Sequence, residues 1–194
     1  MPLPKQNHEM IKTAVRMLIE AVGENPDVGH FQQTPHRVAA MFDKILDANF
    51  SHIEHQRWTT FPNDDPEYNG IIMCHHVPFY SFCAHHLLPF MGRFALGYIP
   101  GGGEILGLSK LIRIFRLGCK KPTTQEALTQ EAVDAVGELL PEAEGVIAHV
   151  EAEHTCMSLR GVQAHGARTT TVAYIGAFEN DIELRNQFLN EAAK

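Results

Sequence analysis

Two short clusters, Cys83-Ala84-His85-His86 and His154-Thr155-Cys156, constrain this chain more than any other feature. They are far apart in sequence, so they can act together only if the fold brings them to one place. Together they offer two Cys and three His, more donors than one tetrahedral zinc takes. Zinc favours thiolate and imidazole ligands, and a catalytic site uses three of them and leaves a fourth position for water. We expect Cys83, His86 and Cys156 to be the metal ligands, because Cys83 and His86 have the C-x-x-H separation of a metal-binding turn. His85 and His154 are then surplus and are expected beside the metal-bound water as proton carriers. A closed structural zinc, or a pair of buried thiols, fits the same residues. The surplus histidines favour catalysis, since a structural site needs no spare acid or base.

The rest of the chain narrows the setting. At 194 residues and 44% hydrophobic, it is long enough for one globular domain with a sizeable core, with room for a small helical extension. The net charge of −7 and the lack of a basic stripe argue against nucleic acid as a partner. No apolar run approaches the roughly 20 residues that span a bilayer, and the Met1-Pro2-Leu3-Pro4-Lys5-Gln6 start lacks the apolar core of a signal peptide. The four cysteines, at 74, 83, 119 and 156, show no disulfide spacing. Free thiolates that bind a metal suit a reduced, cytoplasmic compartment.

Helical periodicity opens the chain. Ile11, Val15, Leu18 and Val22 predict an amphipathic helix over 6–23 that stops at Gly23. Thr34-Pro35 predicts a second start, with Thr34 as N-cap and Pro35 in the first turn, running to about Ala48. Both helices are expected to pack against a body or a partner subunit, and Arg37 stands out as a functional or interface charge. Residues 50–70 are polar and read as a connecting loop. Strand character follows at 71–73, 77–80 and 93–99, with Pro100-Gly101-Gly102-Gly103 as a hairpin-like turn. Cys74-His75-His76 resembles a second ligand cluster, but with no later Cys-His partner it reads better as a strand.

Leu108 to about Gly118 is expected to be helical. Lys110 and Arg113 share a face there, near Ser109 at the start. Such a pair beside free helix N–H groups can hold phosphate, and it can equally be solvated. Pro122 is expected to begin the next helix, through about Leu140, with Gln125 and Glu126 in its first turn. A carboxylate there complements the helix dipole or accepts hydrogen bonds from a ligand. Lys120 and Lys121 are either a solvated pair or phosphate contacts. Residues 145–153 alternate as a strand that delivers His154 and Cys156, 168–178 form another, and a capped helix follows Asn180-Asp181. The order predicts an α+β fold with an antiparallel sheet and helices on one side. Neither G-x-G-x-x-G nor a P-loop is present, so any nucleotide is held another way.

At these residues the chain resembles GTP cyclohydrolase I. The likeness is densest at Phe79-Tyr80-Ser81-Phe82-Cys83-Ala84-His85-His86-Leu87-Leu88-Pro89-Phe90, at Gly107-Leu108-Ser109-Lys110-Leu111-Ile112-Arg113 and at His154-Thr155-Cys156-Met157-Ser158-Leu159-Arg160-Gly161. The resemblance implies a tunnelling fold (T-fold) catalytic domain over 51–194, with residues 1–50 as an N-terminal helical extension. It implies a homodecamer with active sites between subunits. By the same resemblance Cys83, His86 and Cys156 match zinc ligands, and His85 and His154 match catalytic histidines. Glu126 with Gln125 matches the guanine site, and Ser109, Lys110, Arg113 and Arg160 match triphosphate contacts. The implied reaction is hydrolysis of GTP at C8, release of formate and rearrangement to 7,8-dihydroneopterin triphosphate.

The chain departs from the family pattern in three places. Ala84 replaces a usual Glu, Ala127 replaces an Arg in the Gln-Glu-Arg-Leu-Thr run, and Gly118 to Thr123 replaces an aromatic-Arg-Arg-Leu-Gln segment. These changes cluster near the expected base and phosphate pocket. They leave two alternatives: a zinc hydrolase acting on a related purine nucleotide or stopping at the formamide, and a non-catalytic nucleotide binder with structural zinc.

Overall fold

The computed structural model describes residues 4–46 and 58–194. They fall in two compact units, one within residues 1–50 and the other within 51–194. The first unit is a pair of helices, α1 (Lys5–Ala21) and α2 (Thr34–Ile45). Gly23, at φ 91°, ends α1 as anticipated. Its N–H donates to Glu20 O at 3.0 Å and that of Glu24 to Ile19 O at 3.0 Å, the paired bonds that close a helix around a left-handed residue. The start of α2 differs from expectation by one residue. Gln33 is the N-cap, because the Thr34 hydroxyl donates to His30 O at 3.2 Å instead of capping. Arg37 is used locally as well, donating to His30 O at 2.9 Å. His8 pairs with Asp43 at 2.6 Å and ties α1 to α2. The stretch 47–57, which holds the expected end of α2 and much of the predicted loop, lies outside the described residues.

The second unit is built on a five-stranded sheet ordered β5-β2-β3-β6-β7. Its strands are β2 (Ile72–Cys83), β3 (Pro89–Ile99), β5 (Pro122–Thr123), β6 (Gly145–His154) and β7 (Thr169–Gly176). Neighbours are antiparallel except β5, which runs parallel to the end of β2. β1 (Thr60–Pro62) and β4 (Glu104–Leu106) form a separate antiparallel pair. Three expectations change here. The segments at 71–73 and 77–80 are one strand, broken in register between Cys74 and Val77, where His76 takes φ 55°. A bulge of this kind interrupts side-chain alternation. The turn after β3 leads to β4, which pairs with β1 and not back onto β3. Residues 60–62, expected to be loop, are that β1.

A further change matters most for the site. Pro122 does not begin a helix. The buried Ser81 hydroxyl meets Cys119 O at 3.1 Å and Lys121 O at 3.4 Å, which holds 119–121 against β2. Pro122 and Thr123 then pair alongside Phe82 and Cys83. The helix α4 (Gln125–Leu139) starts after them, with the Thr124 hydroxyl accepting from Ala127 N at 3.2 Å. Its first turn is thereby delivered next to Cys83.

Helices α3 (Leu108–Gly118) and α4 cover one face of the sheet. The core between them holds Phe79, Phe94, Leu96, Phe115, Leu128, Val136 and Val150. Phe94 and Phe115 stack 3.8 Å apart, and Phe79 meets Phe115 edge-on at 5.1 Å. Burying one such ring contributes roughly 1.5–3 kcal/mol, and these rings lock α3 to the strands that carry the site. A smaller cluster on the opposite face, with Ala95, Ile99, Ile147, Phe178 and Phe188, receives α7 (Ile182–Ala193) after the short α6 (Ala177–Asn180). Asp181 caps α7 by accepting from Leu184 N at 2.9 Å, as the tail sequence predicts.

Candidate metal centre and its surroundings

Cys83 is the last residue of β2, and a tight turn follows it. His86 N and Leu87 N both donate to Cys83 O, at 3.3 and 2.8 Å, and Cys83 N donates to Leu88 O at 2.9 Å. Leu87 closes the turn at φ 53°. One helical-type turn puts Cys83 and His86 on the same side, which is the chemistry that the C-x-x-H spacing anticipates.

The other half arrives through β6. His154 ends that strand opposite Phe90 of β3 and immediately precedes the short α5 (Thr155–Ser158). The Thr155 hydroxyl donates to Pro89 O at 2.6 Å, so α5 is drawn over the start of β3. Cys156 thereby comes beside Cys83. Donor atoms of Cys83, His86 and Cys156 all lie within 4.8 Å of one another. They form the one such ligand group found among the described residues.

The donor set fits zinc. Bond lengths of about 2.0–2.3 Å put tetrahedral ligands roughly 3.3–3.8 Å apart, a short closure from the separation seen. Thiol chemistry argues the same way. Burial, and then the neighbouring Cys83 thiol, push the Cys156 thiol up, and Arg160 opposes them. Two thiolates side by side need a cation between them to ionise together. Three protein ligands leave one position open. The remaining cysteines are unlike these. Cys119 is buried, donates to Phe115 O at 3.4 Å and has its pKa pushed up to about 12 by burial. Cys74 donates to Leu108 O at 3.6 Å, and the Cys74-His75-His76 stretch lies at the register break of β2, in a strand as the sequence reading favours.

Of the two surplus histidines, His85 touches the cluster, and His154, two residues before Cys156, is near enough to His85 to feel its charge. His85 Nδ1 is 3.6 Å from Cys83 Sγ. His154 lies flat on Phe90, with ring centroids 4.5 Å apart and an interplanar angle of 5°. Its Nε2 is 2.8 Å from Gln125 Oε1. Burial lowers the His154 pKa, the Glu126 carboxylate pulls it back up, and His85 adds to the lowering. Arg160 Nη2 hydrogen-bonds to His86 Nε2.

Gln125, expected with Glu126 at the base, is buried. Its side chain is 1% exposed, and both ends of its amide are engaged within the protein. Glu126 beside it is exposed. Ser109, Lys110 and Arg113 sit on the first two turns of α3. Among the described residues, no hydrogen bond or ion pair joins them to the metal cluster. Lys121 is held by Glu131 at 2.7 Å. Sequence reasoning missed the Phe90 platform and the threonines around Gln125. The run Thr169-Thr170-Thr171 is their only local signal.

Comparison with known proteins agrees with this geometry. The family model described as GTP cyclohydrolase I matches residues 11–193. The GTP cyclohydrolase 1 of Halalkalibacterium halodurans is 41% identical over 188 residues, 97% of this chain and 98% of its own length. The protein of the same name from Geobacillus sp. is 39% identical, with 97% and 98% covered. That of Clostridioides difficile is 39% identical over 186 residues, 96% of each chain. By its matched length and these relatives, the chain belongs to the GTP cyclohydrolase I family.

Proposed function

We propose that this chain is a zinc-dependent GTP cyclohydrolase I. It hydrolyses GTP at C8, releases that carbon as formate and rearranges the remainder to 7,8-dihydroneopterin triphosphate. The observation that carries this reading is the convergence of Cys83, His86 and Cys156 within 4.8 Å, with His85 Nδ1 3.6 Å from Cys83 Sγ.

Cys83, His86 and Cys156 would hold the zinc, which would lower the pKa of water towards about 7 and so make hydroxide available at neutral pH. His154 donates a proton to the imidazole nitrogen next to C8, which makes C8 electrophilic. Water adds there, a C8–N bond breaks to give the formamide, and a second hydrolysis frees formate. His85 relays protons in these steps and in the ribose rearrangement, and ring closure returns one water. Glu126 accepts the N1–H and N2–H donors of guanine as a bidentate pair. Adenine lacks that pair and would leave the carboxylate poorly matched. Ser109, Lys110, Arg113 and Arg160 hold the triphosphate and fix the base relative to the metal.

α3 starts beside Cys74, near the opposite end of β2 from Cys83, and this supports an assembly in which neighbouring copies complete the site. We read that assembly as the homodecamer of the T-fold that the family resemblance implies. Cys83 and Cys156 must remain reduced to bind metal, which suits a cytoplasmic protein. The test is zinc-loaded protein incubated with GTP and, separately, ATP, following formate and the fluorescent oxidised pterin. Both products from GTP alone support the complete reaction. Formate without pterin indicates hydrolysis that stalls before rearrangement. Neither product, with zinc bound, refutes the assignment.

A further inference from the structure

We propose that Gln125 is a positioning residue whose side-chain oxygen keeps a proton on His154 Nε2, so that Nδ1 is the nitrogen that exchanges protons with substrate. The proposal rests on reading His154 as the acid of the reaction. It follows from where each hydrogen in the surrounding network can go.

Thr129 Oγ1 lies 2.7 Å from Gln125 O. A main-chain carbonyl only accepts, so the Thr129 hydrogen is used there. Thr129 and Thr171 hydroxyls are 2.6 Å apart, and with the Thr129 hydrogen committed, Thr171 must donate to Thr129. Thr171 Oγ1 can then only accept from Gln125 Nε2, 3.1 Å away. The same nitrogen reaches Val150 O at 3.1 Å and Thr169 O at 3.0 Å. Both are carbonyls and both only accept. Side-chain amides are easily placed back to front, but these three partners admit one orientation. The nitrogen faces the sheet and the oxygen faces His154. An amide oxygen cannot donate, so at 2.8 Å His154 Nε2 must carry the hydrogen.

The consequence is geometric. Stacking on Phe90 fixes the plane of the His154 ring but not its edge. A half-turn about Cβ–Cγ keeps the plane and exchanges Nε2 for Cε1. Only the bond to Gln125 tells these two states apart. Among the described residues no protein group engages Nδ1, so it is the position left for proton exchange. Gln125 spans two strands and a helix to do this: Val150 is on β6, Thr169 and Thr171 are on β7, and Thr129 is one turn along α4.

The test has two parts on the zinc-loaded protein. Neutron diffraction from deuterium-exchanged crystals, at a pH where the imidazole is neutral, reads the hydrogen directly. Deuterium on Nε2 of His154 and none on Nδ1 is expected, and the reverse overturns the proposal. Kinetics then compare Gln125→Leu, Thr171→Val and Thr171→Ser. Gln125→Leu should lower kcat roughly 10- to 100-fold, with KM for GTP changed by less than about threefold. Thr171→Val should lower it less, and Thr171→Ser, which keeps the hydroxyl, should restore it. A rise in KM with kcat intact would make Gln125 a substrate contact and overturn the proposal. So would equal activity of the valine and serine variants. If Gln125→Leu fails to fold, the neutron map and the Thr171 pair still decide. A wild type that makes neither formate nor pterin would refute the proposed function, while the deuterium position would still decide the role of Gln125.

Discussion

The Thr155 hydroxyl donates to the Pro89 carbonyl at 2.6 Å, and this one bond fastens the turn carrying Cys156 to the strand that follows Cys83 and His86. The two halves of the metal cluster come from hairpin ends that are otherwise joined through the β3–β6 ladder. Thr155→Val keeps the shape and removes the tether. It should cost about 1 kcal/mol of stability and weaken zinc binding roughly 10-fold or more, in the range seen for groups that orient metal ligands. Competition against a chromogenic chelator measures the affinity. Unchanged zinc retention would show that the ladder alone sets the spacing.

Metal removal should separate turnover from folding. The principal core is apolar and lies between the sheet and α3 and α4, so it does not depend on an ion. Chelated protein should keep its far-ultraviolet circular dichroism and lose formate release, and added zinc should restore it. Cys83→Ser and Cys156→Ser should each behave as the chelated protein does, even with zinc present. Global unfolding on chelation would make the metal structural.

Phe115 joins α3 to the strands beneath it, stacking on Phe94 and meeting Phe79 edge-on. It is fully buried. Phe115→Ala should therefore cost about 3–5 kcal/mol, read as a lower midpoint in urea. Because the same helix carries Ser109, Lys110 and Arg113, whatever protein remains folded should also show a raised KM for GTP.

His149 provides a pH-dependent contribution to stability. It is half-buried on β6; burial lowers its pKa, and Glu151 partly opposes this. The folded state then takes up the proton less readily than the unfolded chain. Its contribution is intact above the unfolded value of about 6.5 and is lost as pH falls from there through the lowered folded value. Urea midpoints at pH 8 and pH 5 should differ more for the wild type than for His149→Gln. Equal differences would assign the acid sensitivity to other groups.

Local signals made much of this molecule readable. Gly23 ends α1 through two backbone bonds that glycine favours, and Asp181 caps α7, both within a few residues in sequence. The C-x-x-H turn is local too. What escaped the sequence depends on distant partners. Pro122 looks like a helix start, but Ser81 and the end of β2 draw it into a strand. The bulge at His76 hides one long strand behind two short apolar runs. Gln125 sits in the first turn beside a carboxylate and so reads as a ligand contact. Within the chain its side-chain nitrogen meets carbonyls and a hydroxyl on β6 and β7, which no spacing within α4 reveals.

On the proposed reading, Glu126 serves both base choice and proton chemistry. It is exposed in the first turn of α4, next to the buried Gln125, and its charge raises the pKa of His154 against the lowering effect of burial. Glu126→Gln keeps the shape but offers one acceptor and sets a donor against the guanine donors. The kcat/KM for GTP should fall by roughly 100-fold or more, with KM carrying most of the loss. A second effect has a definite sign. Without the carboxylate the His154 pKa drops further, so an acid that must be protonated is lost at lower pH. The alkaline limb of the kcat/KM profile, which reports the free enzyme, should therefore move to lower pH than in the wild type. A fall in activity with the limb unmoved would confine Glu126 to recognition of the base.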